Sequence, residues 1–148
     1  MRAVIQRVTK ANVVVNEKII GEIENGLMVL IGAEKNDTIE DVEWTVDKIL
    51  NLRIFEDDNQ KMNLSLLDVK GKILAISQFT LLGDARKGRR PSFTNAENPE
   101  KALYFYNKFV ELASKKVNVQ QGEFGAHMKV NLTNNGPVTI LIDSRKNF

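Results

Sequence analysis

Five segments carry residue types that can do chemistry. Ser77-Gln78-Phe79-Thr80 sets two hydroxyls and an amide directly after the apolar run Ile73-Leu74-Ala75-Ile76. A rigid strand ending there presents those groups, and the backbone N–H groups that follow, to a pocket. The plainer alternative is a strand leaving the core through polar residues. Asn134-Asn135-Gly136-Pro137-Val138-Thr139 places a proline in strand-like surroundings, where it removes a ladder donor. A hairpin turn or bulge accounts for it; so does a cis Gly-Pro peptide that aims two carbonyls at a site, and the sequence leaves both open. Arg86-Lys87-Gly88-Arg89-Arg90 has four cations in five residues, which suits a loop that meets phosphates or a merely solvated loop. His127 is the only histidine, so any Ser-His-Asp triad would have to use it. It sits among polar residues of an alternating run and also reads as a surface side chain. Phe124 and Met128, with Gly122 and Gly125 beside them, read as core residues near a bend or as a surface on which a base stacks.

The elements that must position these groups follow from periodicity. Residues 4–15 hold Val4, Ile5, Val8 and Val13-Val14-Val15 and predict a long strand. A turn at Asn16-Glu17-Lys18 leads to a second strand over 19–23, and Asn25-Gly26 turns the chain again. Leu27 to Ile31 is unbroken apolar sequence, the mark of a strand buried on both faces. Thr38 with Asp41 predicts a capped helix whose inner face is Ile39, Val42, Val46, Ile49 and Leu50. Residues 52–55 predict a short strand, 56–59 a polar loop, and 72–77 another buried strand. Asn98 followed by Pro99 starts a second helix, with Leu103, Tyr106, Phe109, Val110 and Ala113 on one apolar face. From Ala126 to Thr133 apolar and polar residues alternate; Asn134 to Pro137 turns or kinks the chain, and Val138, Ile140 and Ile142 resume the alternation. The sum over 1–148 is one α+β domain: a mostly antiparallel, barrel-like sheet with two covering helices.

Composition narrows the chemistry. The chain has 148 residues, the size of one domain with its own core. It has no cysteine, which removes disulfides, thiolate nucleophiles and thiolate metal sites. One histidine excludes multi-histidine metal centres, and no metal-ligand cluster is visible, so neither metal nor cofactor is expected. A net charge of +2 is too small to coat nucleic acid, so contact with it must come from a local patch. No stretch approaches the ~20 apolar residues of a membrane span. Arg2 and Arg7 interrupt the place where a signal peptide has its apolar region, so a reducing cytoplasm is the expected compartment.

Taken together the segments resemble a family. Ser77-Gln78-Phe79-Thr80-Leu81 and Asn134-Asn135-Gly136-Pro137-Val138-Thr139 are similar to the two signatures of the D-aminoacyl-tRNA deacylases. The likeness extends through Arg2–Val8, Lys61–Ser65, Gly88–Phe93 and Gly122–Met128, in order along the whole chain. The resemblance implies a homodimer that hydrolyses the ester between a D-amino acid and the 3′-terminal adenosine of tRNA, with its site at the subunit interface. It implies that Ser77, Gln78, Phe79 and Thr80 of one subunit bind the aminoacyl group. It implies that a cis Gly136-Pro137 of the other subunit enters the same pocket, supported by Arg7. Ala102, Phe124 and Met128 would line the adenine side. Thr80 is then either a nucleophile or a bystander to the RNA's own 2′-hydroxyl. The residue inventory favours the latter, because a side-chain nucleophile needs an adjacent base and only His127 is on offer. Without the resemblance, a non-catalytic RNA-binding module fits the same residues. Arg86, Lys87, Arg89 and Arg90 remain the expected phosphate contacts.

Overall fold

In the computed structural model, which describes residues 1–148, one long strand organises the chain. β1 (Arg2–Val15) pairs antiparallel with β2 (Lys18–Ile23), with β3 (Gly26–Gly32) and, along its other edge, with β8 (Lys129–Asp143). β3 runs parallel to β6 (Lys72–Ser77), and β6 parallel to β7 (Val119–Gln121). The sheet curls until β2 meets β7: a Cβ added at Gly21 would lie 2.9 Å from the Gln121 carbonyl oxygen. The result is a nearly closed, barrel-like sheet in a single α+β domain. Helices α1 (Ile39–Asn51) and α2 (Pro99–Ser114) cover it. A small ribbon of β4 (Phe55–Glu56) and β5 (Met62–Leu64) completes the architecture.

Alternation along β3 and β6 divides the core in two. Leu27, Val29 and Ile31 with Ile73 and Ala75 face the helices, against Val42, Ile49, Phe105 and Phe109. Met28, Leu74 and Ile76 face the barrel interior with Val8, Ala11, Val13 and Ile23. Both strands are therefore buried on both faces, as their unbroken apolar runs predict. α1 begins where expected, with the Thr38 N–H donating to the Asp41 carboxylate at 2.8 Å. α2 begins at Pro99, and the Asn98 side-chain oxygen accepts from the Lys101 N–H at 3.0 Å.

Three expectations need correction. Leu103 is expected on the inner face of α2, but it stays 38% exposed while Phe105 is buried. The helical period admits either residue, and the larger aromatic ring removes more apolar area from water. The strand expected over 52–55 reduces to Phe55–Glu56, because the Ile54 carbonyl is taken by Arg7 instead of a ladder partner. The alternating run expected to be strand from Ala126 is not strand at its start, whereas at Gly136 the chain takes the bulge and the cis peptide among the readings left open. β8 starts only at Lys129, opposite Val14, and stays beside β1 to Asp143. Asn134 pairs with Val8 and Thr139 with Gln6, so the four residues 135–138 stand opposite Arg7 alone. The proline sits in a wide bulge, where no ladder donor is required of it.

Candidate active site

β6 delivers the first part of the site. Ser77 is its last residue, and the Gln78 N–H still donates to the Ile31 carbonyl at 2.7 Å. The chain then winds into a 3-10 turn over Phe79–Leu82. The leading N–H groups of such a turn have no acceptor within it, and here they belong to Phe79 and Thr80. The Gln78 amide nitrogen donates to the Thr80 hydroxyl at 2.5 Å. That hydroxyl donates no hydrogen bond to His127 or to any carboxylate, so no general base is paired with it. The exposed Phe79 ring meets Phe93 edge-on, with centroids 5.2 Å apart.

A cavity of about 500 Å³ opens against this strand end. Ser77, Gln78 and Phe79 line it from one element, Phe124 to Met128 from a second, and Glu97, Pro99 and Ala102 from the start of α2. Ile76 and Val130 add apolar surface. Ala126, His127 and Met128 leave the alternation expected of a strand because they line this space instead of pairing with β1. Gly122 lets Met128 lie close, since a Cβ there would be 2.6 Å from its sulfur. Phe124 leans on Tyr106, with ring centroids 6.2 Å apart. The buried Tyr106 hydroxyl donates to the Ala75 carbonyl of β6 at 2.9 Å, and burial pushes this phenol up, so it remains a donor. The Phe124 side of the cavity is thereby tied to the strand that carries Ser77.

The bulge of β8 forms a second group. The Gly136–Pro137 peptide is cis, and both residues are exposed. Beneath them Arg7 is only 4% exposed. Its Nε donates to the Asn135 carbonyl at 3.0 Å and its Nη1 to the Ile54 carbonyl at 2.7 Å. Asn134 clamps the bulge from its own strand: its Oδ1 accepts from the Val138 N–H at 2.9 Å and its Nδ2 donates to the Thr139 hydroxyl at 3.0 Å. Gly136 has φ of +131°, and a Cβ there would lie 2.8 Å from Val138 Cγ2, so only glycine suits the position. Neither Gly136 nor Pro137 lines this cavity.

The basic loop is a third group, pinned at its base by a bridge between Asp84 and Ser92. Arg86 is not free within it. Its Nε and Nη2 donate to the two Asp84 oxygens at 2.9 and 2.7 Å, and this pairing holds the Asp84 carboxyl well below the usual range. Lys87, Arg89 and Arg90 are exposed around Gly88. No group of three His, Cys, Asp or Glu side chains is placed to hold a metal ion, and no helix is long and apolar enough to cross a membrane.

The sequence model of the D-Tyr-tRNA(Tyr) deacylases matches residues 4–143. The chain belongs to the D-Tyr-tRNA(Tyr) deacylase family. A relative named D-aminoacyl-tRNA deacylase from Kosmotoga olearia is 62% identical over 148 residues, the whole of both chains. One of the same name from Thermosipho melanesiensis is 63% identical over 150 residues, again the whole of both. The solved structure of a c-Myc DNA unwinding element binding protein is similar with a TM-score of 0.92 and 44% identity, covering 97% of this chain and 98% of that one. A probable eukaryotic D-amino acid tRNA deacylase shares the fold, with a TM-score of 0.80 at 20% identity over 95% and 97% of the two chains.

For this member of the D-Tyr-tRNA(Tyr) deacylase family, the structure gathers Ser77, Gln78, Phe79, Ala102, Phe124 and Met128 round one cavity. It holds Arg7, Gly136 and Pro137 together at a different place on the chain. Sequence reasoning missed Glu97, which lines the cavity ahead of the α2 cap. An acidic residue before a helix carries no signal of its own, and only the docking of α2 brings it to the site.

Proposed function

We propose that the chain hydrolyses the ester between a D-amino acid and the terminal adenosine of tRNA, in a site completed by a second copy of itself. Its enzyme class is that of its family, a D-aminoacyl-tRNA deacylase that cleaves a carboxylic ester. One observation carries the reading: the Ser77–Phe79 strand end and the Phe124–Met128 segment border the same cavity. Apolar walls with a few fixed polar groups suit a nucleoside. The N–H groups of Phe79 and Thr80 suit the oxyanion that forms as water adds to the ester carbonyl. Gln78 cannot accept a proton from Thr80, so the Thr80 hydroxyl is not activated as a nucleophile. The vicinal 2′-hydroxyl of the substrate is already held beside the ester and assists the attack from there.

Handedness follows from space. In this reading the carbonyls of Gly136 and Pro137 from the second copy press on the substrate Cα and leave room only for hydrogen at one position. An L side chain clashes there; a D side chain points elsewhere. The bulge is exposed, held rigid by Arg7 and Asn134, and stands away from its own subunit's cavity, all of which suit a group that acts on a neighbour. The sheet offers a surface for that neighbour. Val4 pairs with Leu30 on one side and Leu141 on the other, and the three lie on the face away from the helices. Leu141 is 61% exposed. A two-fold pair of subunits covers this face and exchanges bulges in one step.

The test is a time course of amino acid release from D-tyrosyl-, L-tyrosyl- and glycyl-tRNA, with the terminal 2′-hydroxyl present or replaced by hydrogen. The D and glycyl esters should be cleaved and the L ester left intact. The 2′-deoxy D ester should lose several orders of magnitude, while Thr80→Ala stays within a few-fold of the parent. Collapse of Thr80→Ala would make Thr80 the nucleophile. Intact glycyl-tRNA would refute the steric account, and no release from any ester would leave an RNA-binding module.

A further inference from the structure

Glu97 is the only carboxylate bordering the cavity, and its side chain is just 8% exposed. Its backbone is fixed by the N–H donating to the Ala33 carbonyl at 3.0 Å. One carboxylate oxygen accepts from the Asn98 N–H at 2.9 Å and the Asn98 side-chain amide at 3.0 Å. The other lies 3.2 Å from the Lys101 ammonium. These partners, first among them the Asn98 N–H, hold the carboxyl below its ordinary range, so it is an acceptor and not a donor at neutral pH. Lys101 offsets its charge, so the site calls for a neutral donor and not for a second cation. Ala102 and Pro99 flank it on the apolar side that suits a flat ring.

We infer that Glu97 reads the terminal nucleoside, accepting a hydrogen bond from the exocyclic 6-amino group of adenine. This rests on the deacylase reading above and adds a base-specific contact to it. A purine with hydrogen at C6 loses this contact, though Asn98 and Lys101 still pair with the carboxylate. A purine with a 6-keto group sets oxygen against oxygen. The first forfeits a hydrogen bond to a charged acceptor and the second adds repulsion between two acceptors, so both bind less well. The contact exists before and during reaction alike, so it acts on KM more than on kcat.

The experiment uses the full-length enzyme and D-tyrosyl-tRNA ending in adenosine, in purine riboside (6-amino replaced by hydrogen) or in inosine. For the parent enzyme we expect kcat/KM to fall roughly 10- to 100-fold without the amino group, the effect of losing one hydrogen bond to a charged acceptor. Most of that loss should appear in KM. In Glu97→Ala the purine riboside and adenosine substrates should be cleaved equally well, and Glu97→Gln, which keeps an acceptor oxygen, should retain part of the preference. Thermal melts establish that each variant is folded. A parent enzyme indifferent to the amino group overturns the inference, with no variant needed. So does a preference that persists unchanged in Glu97→Ala. Failure to cleave even the adenosine substrate overturns the deacylase reading itself, and this inference with it.

Discussion

At the residue scale, the buried Arg7 shows how one side chain can hold an exposed bulge in place. Its guanidinium joins the Asn135 carbonyl in the β8 bulge to the Ile54 carbonyl after α1, and lies 3.5 Å from Glu56. Lysine cannot span these acceptors with one point charge. We expect Arg7→Ala to cost about 3–6 kcal/mol in denaturant unfolding, the sum of two hydrogen bonds from a charged donor. Arg7→Lys should fall between Arg7→Ala and the parent. Hydrolysis of D-tyrosyl-tRNA should drop further than stability does, because the bulge loses its support. A variant with the parent's unfolding midpoint and full activity would show the bulge to be self-supporting. From the sequence Arg7 is only one charged residue within a strand. Its burial becomes intelligible when four residues of β8 are found bulging opposite it.

At the scale of elements, what was legible was whatever a period could express. β1, β3, β6 and the two helices appear in the sequence because burial repeats along each of them. β7, three residues long, and the 3-10 turn over Phe79–Leu82 have no such repeat. They exist because β6 and β3 offer them a partner. The same limit applies to the site: the Ser77 segment and the Gly136 segment could be picked out, but the cavity that joins Ser77 to Phe124 and Glu97 is a product of packing. The close approach of β3 to β6 yields a prediction. A Cβ at Gly26 would lie 2.0 Å from the Lys72 carbonyl oxygen, a backbone atom with nowhere to go. Gly26→Ala should destabilise the protein by at least about 1–3 kcal/mol, read as a lowered denaturation midpoint. A neutral result would mean that the first parallel pairing of the sheet contributes little. The joined ends of β1 and β8 give a second. Burial alone pushes the Asp143 carboxyl up, yet hydrogen bonds from Asn147 and the Arg145 N–H, with the N-terminal ammonium and Arg2 nearby, bring it below its ordinary value. A carboxyl depressed in the folded state contributes stability above its unfolded value of about 3.9 and loses it as pH falls through the folded value. Stability should therefore decline on acidification below about pH 4, and Asp143→Asn should flatten that decline in melts run across the range.

At the scale of the whole molecule, the question is what covers the sheet and what the loops touch. Leu141→Glu places a charge at the exposed end of the Val4–Leu30–Leu141 row, whose other two members are half-buried. We expect this variant to sediment as a folded monomer and to lose D-ester hydrolysis, since its cavity lacks the neighbour's bulge. An active monomer would separate the bulge from the chemistry. On the RNA side, joint replacement of Lys87, Arg89 and Arg90 by alanine should flatten the dependence of tRNA binding on salt, by roughly 0.7 in log–log slope for each phosphate no longer neutralised. Arg86→Ala should change the slope less, because Asp84 already occupies that guanidinium. An unaltered slope would make the loop a solvated surface.

The pairing of β1 with β8 also sets an order of events during synthesis. The strand made first keeps one edge open until the strand made last is available to close it. Every element before β8 can gather on the nascent chain, whereas the Gly136-Pro137 bulge and Leu141 both arrive with β8. On the reading proposed above, a ribosome-bound fragment ending before Asn134 would carry the cavity between Ser77 and Phe124 but not the bulge that judges chirality, so discrimination would wait for β8.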